Sequence, residues 1–498
     1  MPAVSAMAQP GLDADSSAPP RGAWAVLFTV LGAAMMDLLD ATAMNVAAPA
    51  IRNDLGASNA QFQWISVGYV LTFAVLLLAG GRLGDIVGRR RMFLIGLAGF
   101  ALTSAACAAA QAPAPLIVAR LVQGGAAAMM VPQCVSMIRE SFGPEHSAKA
   151  FAIFGPFMSL SSAAGPILGG ALITYASWHW VFIVNIPACL VVYFFALRTL
   201  PADRPSAARP KLDGIGMVLC SVSVGLFVYP VIQGREHQWA WWTRAMMVSS
   251  VLVLVLFALH ARTRHRRGLD AFIETSLFRK RSFTGGSVVV FLFFGACSGA
   301  FIVYPVLVQL YVGWSPLRSG LTGTWWPVGT IAAMGIGQLL AKRRPRLVLQ
   351  AGILCQAVGM GLAAVTVAAT AGTTTYPGPD GLRYDSGLTS FNLAPAFLVA
   401  GVGTGLFFGQ FLNLVLSRVD DRELGSATGA VNALQQLGGA VAAAIFSTVI
   451  FDQIGRGASP FAASELAYWL CAALLVVTWV SSFALPNIPA TATGKGTD

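Results

Sequence analysis

The chain has 498 residues, of which 56% are hydrophobic and 11% charged, with a formal net charge of +11 and a mean hydropathy of +0.69. A water-soluble domain of this length does not have that composition, so a soluble enzyme or binding module is excluded. The positive charge follows membrane topology, as shown below, and does not point to a nucleic-acid partner.

Residues 1–22 are small, polar and slightly acidic, without the basic start and short apolar core of a cleaved signal peptide; they are expected to form a disordered cytoplasmic tail. A membrane-spanning helix needs about 20 mostly apolar residues. Fourteen such runs follow, centred near residues 34, 71, 101, 127, 162, 190, 223, 253, 297, 330, 359, 404, 439 and 475. An even number of crossings puts both termini on one side. With the N-terminus inside, inner loops and tails hold 25 of the 32 lysines and arginines, outer loops six, and Arg120 falls within a span. Inner loops carry the basic excess, so both termini are expected in the cytoplasm. The seven cysteines all lie in apolar runs at no metal-like or pairing spacing and read as small core hydrophobes.

Basic linkers at roughly 198–214 and 262–285 divide the spans into six, two and six. The expected units are an N-terminal bundle (23–200), two additional helices (201–268), a C-terminal bundle (269–486) and a cytoplasmic tail (487–498). The outer blocks repeat: LVQGGAAAMMVPQ at 121–133 parallels LVAGVGTGLFFGQ at 398–410, pairing Gly124 with Gly401 and Gln133 with Gln410. The stretch at 81–94 parallels 337–349 less closely, Gly81 against Gly337, with Ala341 in the place of Asp85. Such repetition implies two six-helix bundles related by an axis along the membrane normal, with a site between them near mid-membrane. The middle pair has no counterpart and is expected at the periphery. The polar outer segment 373–390 reads as decoration in preference to a cover for the outer mouth.

In the first span, Asp37 and Asp40 lie three residues apart on neighbouring positions of one helix face. With Arg120 they are the charges placed deep within spans. Each costs about 2.5–3.5 kcal/mol near a helix centre, so all three are expected to face the protein interior. Counted from an outer helix end near Asn45, Asp40 sits about 7–8 Å down at about 1.5 Å per residue, level with Arg120, and Asp37 one turn deeper. A carboxylate withdrawn from an arginine in a dry interior gains affinity for a proton, and one beside it lets the proton go. Asp40 and Arg120 therefore read as a proton switch, or else as a static ion pair joining two helices. Asp37 offers a counter-charge for a cationic substrate, a second proton site, or a structural hydrogen bond.

Between the second and third spans, GRLGDIVGRRR (81–91) combines three glycines, one aspartate and an arginine run. It resembles the loop between helices two and three of the major facilitator superfamily. LDATAMNVAAP from Leu39, RLVQGGAA from Arg120, AGPILGG at 164–170 and WHWVFIVNIP at 178–187 resemble, in order, four motifs of its fourteen-helix drug:proton antiporters. Departures are Ser161 where glycine is usual, His179 where arginine is usual, Gln435-Gln436 where arginine-glutamine is usual, and the added Asp37.

The resemblance implies an all-α membrane protein of major facilitator fold, two six-helix bundles plus two linker helices. It also implies an antiporter motif at Gly165, Pro166, Gly169 and Gly170, associated with exporters. Physically, that proline frees a backbone carbonyl and the glycines admit close helix contact. Gly81, Asp85, Gly88, Arg89 and Arg90 are expected to form a conformational latch, Asp85 facing the positive N-terminal end of the thirteenth helix. Polar and aromatic candidates for a large apolar cavity are Gln133, Tyr304, Gln309, Trp325, Trp326, Phe407, Phe408, Gln410, Asn413, Asn432, Gln435 and Gln436.

The expected function is proton-coupled efflux of hydrophobic or amphipathic small molecules such as antibiotics, with the proton as coupling ion and no cofactor or metal. The chain is expected as a monomer in a bacterial plasma membrane; arginine over lysine at 27 to 5 fits a GC-rich bacterial genome. Alternatives are a narrow exporter of one endogenous metabolite and a non-transporting membrane sensor or partner. No GxxxxGK[ST] loop occurs, so ATP is not the expected energy source, and no catalytic cluster in the spans suggests an enzyme.

Overall fold

The computed structural model describes residues 22–203, 213–234, 236–267, 269, 276–341, 344–372, 374–378, 381–419 and 424–486. The two expected tails lie outside these residues except for Gly22. The first bundle comprises α1 (Ala23–Leu55), α2 (Asn59–Val87), α3 (Arg89–Ala108), α4 (Pro113–Tyr175), α5 (His179–Ile183) and α6 (Asn185–Thr199). Next come α7 (Gly214–Gln233) and α8 (Trp241–Arg266). The second bundle comprises α9 (Arg281–Pro305), α10 (Pro316–Gly323), α11 (Trp325–Ala341), α12 (Pro345–Ala369), α13 (Ser390–Phe408), α14 (Phe411–Leu416), α15 (Leu424–Gly455) and α16 (Pro460–Ser481).

Among the described residues, thirteen helical stretches are long and apolar enough to cross a membrane. The remaining expected span, centred near residue 330, is α10 followed by α11, interrupted at Thr324. Pro327 explains the break, because it has no N–H to donate to Gly323 and its ring crowds that carbonyl. Helix α4 holds two crossings, Pro113–Gly143 and Phe157–Tyr175, and changes direction at Gly143, whose φ is 67°. Starts and stops are locally encoded. Ser58 and Gln61 form a capping box at α2, Thr389 and Asn392 another at α13, and Ser459 caps α16 with Pro460 at its first position.

Helices in lipid associate through close packing at small residues, and both bundles use the same contacts. A side chain at Gly124 of α4 would strike the Tyr69 carbonyl oxygen of α2, and one at Gly401 of α13 would strike that of Trp326 in α11. A Cβ at Gly96 of α3 would lie 2.9 Å from the Ala126 oxygen, and one at Gly352 of α12 would lie 2.7 Å from the Gly403 oxygen. Gln133 Nε2 donates to the Gly80 carbonyl at 2.9 Å, while Gln410 Nε2 donates to that of Gly337 at 3.5 Å. Gly337 therefore corresponds to Gly80, one residue away from the Gly81 match expected from letters alone. The expected pairings of Gly124 with Gly401 and Gln133 with Gln410 coincide with these contacts.

Helices α7 and α8 are joined by a Ser223 to Ser250 hydrogen bond of 2.9 Å. Helix α8 is outermost, with Leu252, Val255 and Leu259 exposed, whereas α7 lies against α2 and α15 where the bundles meet. Thr448 of α15 donates to the Val231 carbonyl of α7 at 3.0 Å. The outer segment contains an antiparallel hairpin, β1 (Thr374–Gly378) and β2 (Gly381–Asp385), which rests on the second bundle through Tyr384 against Phe461.

Gly124→Val and Gly401→Val are each expected to destabilise the protein by about 1–3 kcal/mol or more through overpacking. Gly225→Val in α7, where an added Cβ meets nothing within 4 Å, is expected to leave stability almost unchanged. Thermal unfolding in detergent measures the three; equal midpoints would contradict this packing account.

Candidate functional site

Helix α1 does not end near Asn45. It continues to Leu55 and stops at Gly56 in the left-handed region, and Trp178 Nε1 donates to Asp54 at 2.7 Å, fixing its far end to the α4–α5 connection. Asp40 therefore lies near the middle of the helix, deeper than the sequence alone suggests. Its carboxylate meets Arg120 at 2.7 Å, Nη1 to Oδ2, with both side chains buried. Asn185 Nδ2 of α6 donates to the other carboxylate oxygen at 2.7 Å. Arg120 Nη1 also donates to Gln123 Oε1 at 2.8 Å, and Gln123 Nε2 donates to Ser104 Oγ of α3 at 2.8 Å.

The guanidinium carbon stands 4.4 Å from the centroid of the Tyr69 ring, and the Tyr69 hydroxyl donates to Asp37. Five helices thus converge on one acid–base pair. A buried ion pair is tolerated when geometry is good and its remaining polar atoms are satisfied; here both oxygens of Asp40 are used, whereas the buried Nε of Arg120 has no hydrogen-bond partner. Asn185, Ser104 and Tyr69 carry no sequence signal for this role. Asn185 falls within the WHWVFIVNIP stretch, but Ser104 and Tyr69 are single polar residues in apolar runs.

A cavity of about 80 Å³ lies between the bundles, lined from the first by Thr42, Asn45, Ser162 and Pro166, and from the second by Phe301, Tyr304, Ser319, Trp326 and Phe397 among others. None of the lining side chains carries a charge. Thr42 and Asp40 are two residues apart on α1, hence about 200° around the helix, so α1 presents the acid to the bundle interior and the Thr42 side to the cavity. Pockets for drug-sized ligands measure roughly 300–1,000 Å³, so the bundles must part further to admit such a molecule. Asp37 is half-buried and does not line this cavity.

Of the expected cavity residues, Tyr304 and Trp326 line it. Gln133 and Gln410 instead tie neighbouring helices within their bundles. Phe407 stacks on Phe293 with centroids 3.6 Å apart and also stacks on Phe411, forming an aromatic pillar of the second bundle that Phe408 meets edge-on. Gln309 is buried in a π-helical turn, Val306–Tyr311, while Trp325 and Asn413 are exposed; Asn432, Gln435 and Gln436 are half-buried on α15.

The antiporter-motif glycines are contact points. A side chain at Gly165 would strike the Thr42 hydroxyl, and a Cβ at Gly169 would lie 2.8 Å from that of Ala43, so both hold α4 against α1. A Cβ at Gly170 would lie 2.7 Å from the Pro316 oxygen, and one at Gly320 would strike the Pro166 carbonyl. These two contacts close the bundles together at the end remote from the basic loops.

The segment 81–91 is almost entirely helical; only Gly88, at φ 112°, separates α2 from α3. Arg89 meets Asp85 at 3.0 Å and Glu140 at 2.9 Å. Arg90 donates to the Leu197 carbonyl, and Asp203 accepts from the Arg90 and Arg91 backbone N–H groups. Asp203 thereby supplies the helix cap that Gly88 lacks. These partners lie in the first bundle and the segment leaving it.

The sequence profile of the Major Facilitator Superfamily matches residues 30–214 and again 212–443. The probable actinorhodin transporter of Streptomyces coelicolor is 40% identical over 90% of this chain and 76% of its own. The puromycin resistance protein of Streptomyces alboniger is 32% identical over 86% and 82%. The tetracenomycin C resistance and export protein of Streptomyces glaucescens is 31% identical over 87% and 77%. Among solved structures, a POT family transporter in complex with a thioalcohol conjugated peptide has the same fold, with a TM-score of 0.67 at 14% identity over 93% of this chain and 95% of that one. Two bundles built on matching glycine and glutamine contacts, and relatives aligned over most of their length, lead to one assignment: the chain belongs to the Major Facilitator Superfamily.

Proposed function

We propose that the protein is a proton-coupled exporter of hydrophobic or amphipathic small molecules, antibiotics among them. The observation that carries the reading is the buried Asp40–Arg120 pair, whose acid stands on a helix, α1, that lines the cavity between the bundles with its opposite side. The basic loops lie in the cytoplasm with both termini, and the end closed by Gly170 and Gly320 faces outward. The membrane is the plasma membrane of a bacterium, as for the Streptomyces relatives, and the working unit is a monomer without cofactor.

When the bundles open outward, α1 and α4 shift, Arg120 withdraws, and Asp40 takes a proton. When they close and the pair re-forms, the proton leaves to the cytoplasmic side. Substrate travels the other way through the cavity. Asp37, bonded to Tyr69 beneath the same guanidinium, follows the state of the pair. Asp85 with Arg89 and Arg90 holds the cytoplasmic end in register during the movement. One charge crossing 100 mV supplies about 2.3 kcal/mol, enough to sustain a roughly fiftyfold gradient at about 1.4 kcal/mol per tenfold.

A second reading, a narrow exporter of one compound made by the same cell, is favoured by the names of the Streptomyces relatives, each tied to a single antibiotic. Growth assays across unrelated toxic compounds separate the two: protection against many supports the broad exporter, protection against one the narrow.

In proteoliposomes with an acidic lumen, wild-type protein is expected to drive uptake of a lipophilic fluorescent dye, and Asp40→Asn to abolish the pH-driven component. Undiminished uptake in that variant would reject the coupling scheme. Arg120→Met alone is expected to cost about 3–5 kcal/mol of stability by leaving a buried charge unpaired, and Asp40→Asn with Arg120→Met to cost less than the sum of the single changes. A double-mutant cycle of thermal or denaturant unfolding checks this; additive losses would show that the two groups do not interact.

A further inference from the structure

Trp326 and Tyr69 occupy equivalent places in the two bundles, each with its carbonyl against the matching glycine, Gly401 or Gly124. Their surroundings are inverted. Tyr69 lies under the charged Arg120; the residue matching Arg120 in α13, by the same offset that pairs Gly124 with Gly401, is Phe397, whose ring centroid is 6.2 Å from that of Trp326. The indole N–H of Trp326 donates to Thr404 Oγ1 at 3.0 Å. Thr404 faces Gln356 Oε1 at 3.2 Å, and Gln356 Nε2 donates to Cys297 Sγ at 3.0 Å. Thr404 and Gln356 are both buried. A neutral chain of four side chains from α9, α11, α12 and α13 thus ends on an aromatic face of the cavity.

Resting on the reading of that cavity as the substrate site, we infer that Thr404 and Gln356 are positioning residues that lock the Trp326 indole as a stacking wall selective for planar, uncharged aromatic ligands. Phe301, with its centroid 4.8 Å from that of Trp326, and Phe397 form the adjoining walls. No charge lines the cavity to reward a cation, while flat π faces favour offset stacking of another ring. An indole whose N–H is fixed stays in one orientation; without its acceptor that N–H is a buried unsatisfied donor and the ring turns to find another partner.

The test uses purified full-length protein and acridone, a neutral planar tricycle, with binding read from the anisotropy of its own fluorescence. Thr404→Val is expected to weaken binding about tenfold, about 1.4 kcal/mol, because the indole N–H loses its buried acceptor. Gln356→Leu is expected to weaken it in the same direction. Thr404→Ser keeps the hydroxyl and is expected to bind as the wild type does. Trp326→Phe removes the N–H, so adding Thr404→Val to it is expected to cause no further loss. Wild-type affinity in Thr404→Val, equal weakening in the valine and serine variants, a further loss in the double variant, or no binding of acridone by wild-type protein would each overturn the inference. Hydroxyl-dependent binding by a protein that moves no protons would uphold the wall while rejecting the exporter.

Discussion

A carboxylate and a guanidinium held 2.7 Å apart where no water reaches them govern the rest of this molecule. Neither group is stable there alone, so the pair has two low-energy solutions: contact, or neutralisation of the acid by a proton. Helices α3 and α6 contribute Ser104 and Asn185 to the same cluster, and α2 contributes the Tyr69 ring. Any movement that separates α1 from α4 therefore disturbs five helices together. Because Asp40 and Thr42 lie on opposite sides of α1, the cavity and the charge cluster share one rigid element, and a change in either is felt by the other.

The two bundles show how a common scaffold takes different chemistry. Glycines at 124 and 401, and at 96 and 352, set the same helix approaches, and Gln133 and Gln410 tie down matching glycine carbonyls. On that shared backbone the first bundle places an aspartate–arginine pair, and the second places Phe397, Trp326 and a chain of neutral hydrogen bonds. Small residues fix the geometry, and the side chains between them decide whether a bundle holds charge or an aromatic surface.

Much of this was legible in the sequence, and for physical reasons. Long apolar runs and the side on which arginine collects are imposed by the bilayer, so the spans and the two bundles could be read directly. The cost of burying charge singled out Asp40 and Arg120. Pro49 and the polar run Arg52-Asn53-Asp54 mask the continuation of α1 in the sequence, although Gly56 encodes its end. Nor was the interruption at Thr324 anticipated, although Pro327 encodes it. Helices that meet protein and lipid on all sides are apolar all round and carry little periodicity, so sequence did not tell which polar residues face the cavity. Tyr304 and Trp326 do, while Gln133, Gln410 and Phe407 serve packing. The Asp203 cap on α3 has no local signal because it comes from a linker more than a hundred residues away.

On the proposed function, Asp40 exchanges a proton as its distance from Arg120 changes with transport. The most direct measurement is proton release from purified protein in weakly buffered detergent solution on addition of a transported compound, compared with Asp40→Asn. Release is expected from the wild type and none from the variant. Equal release from both would contradict it.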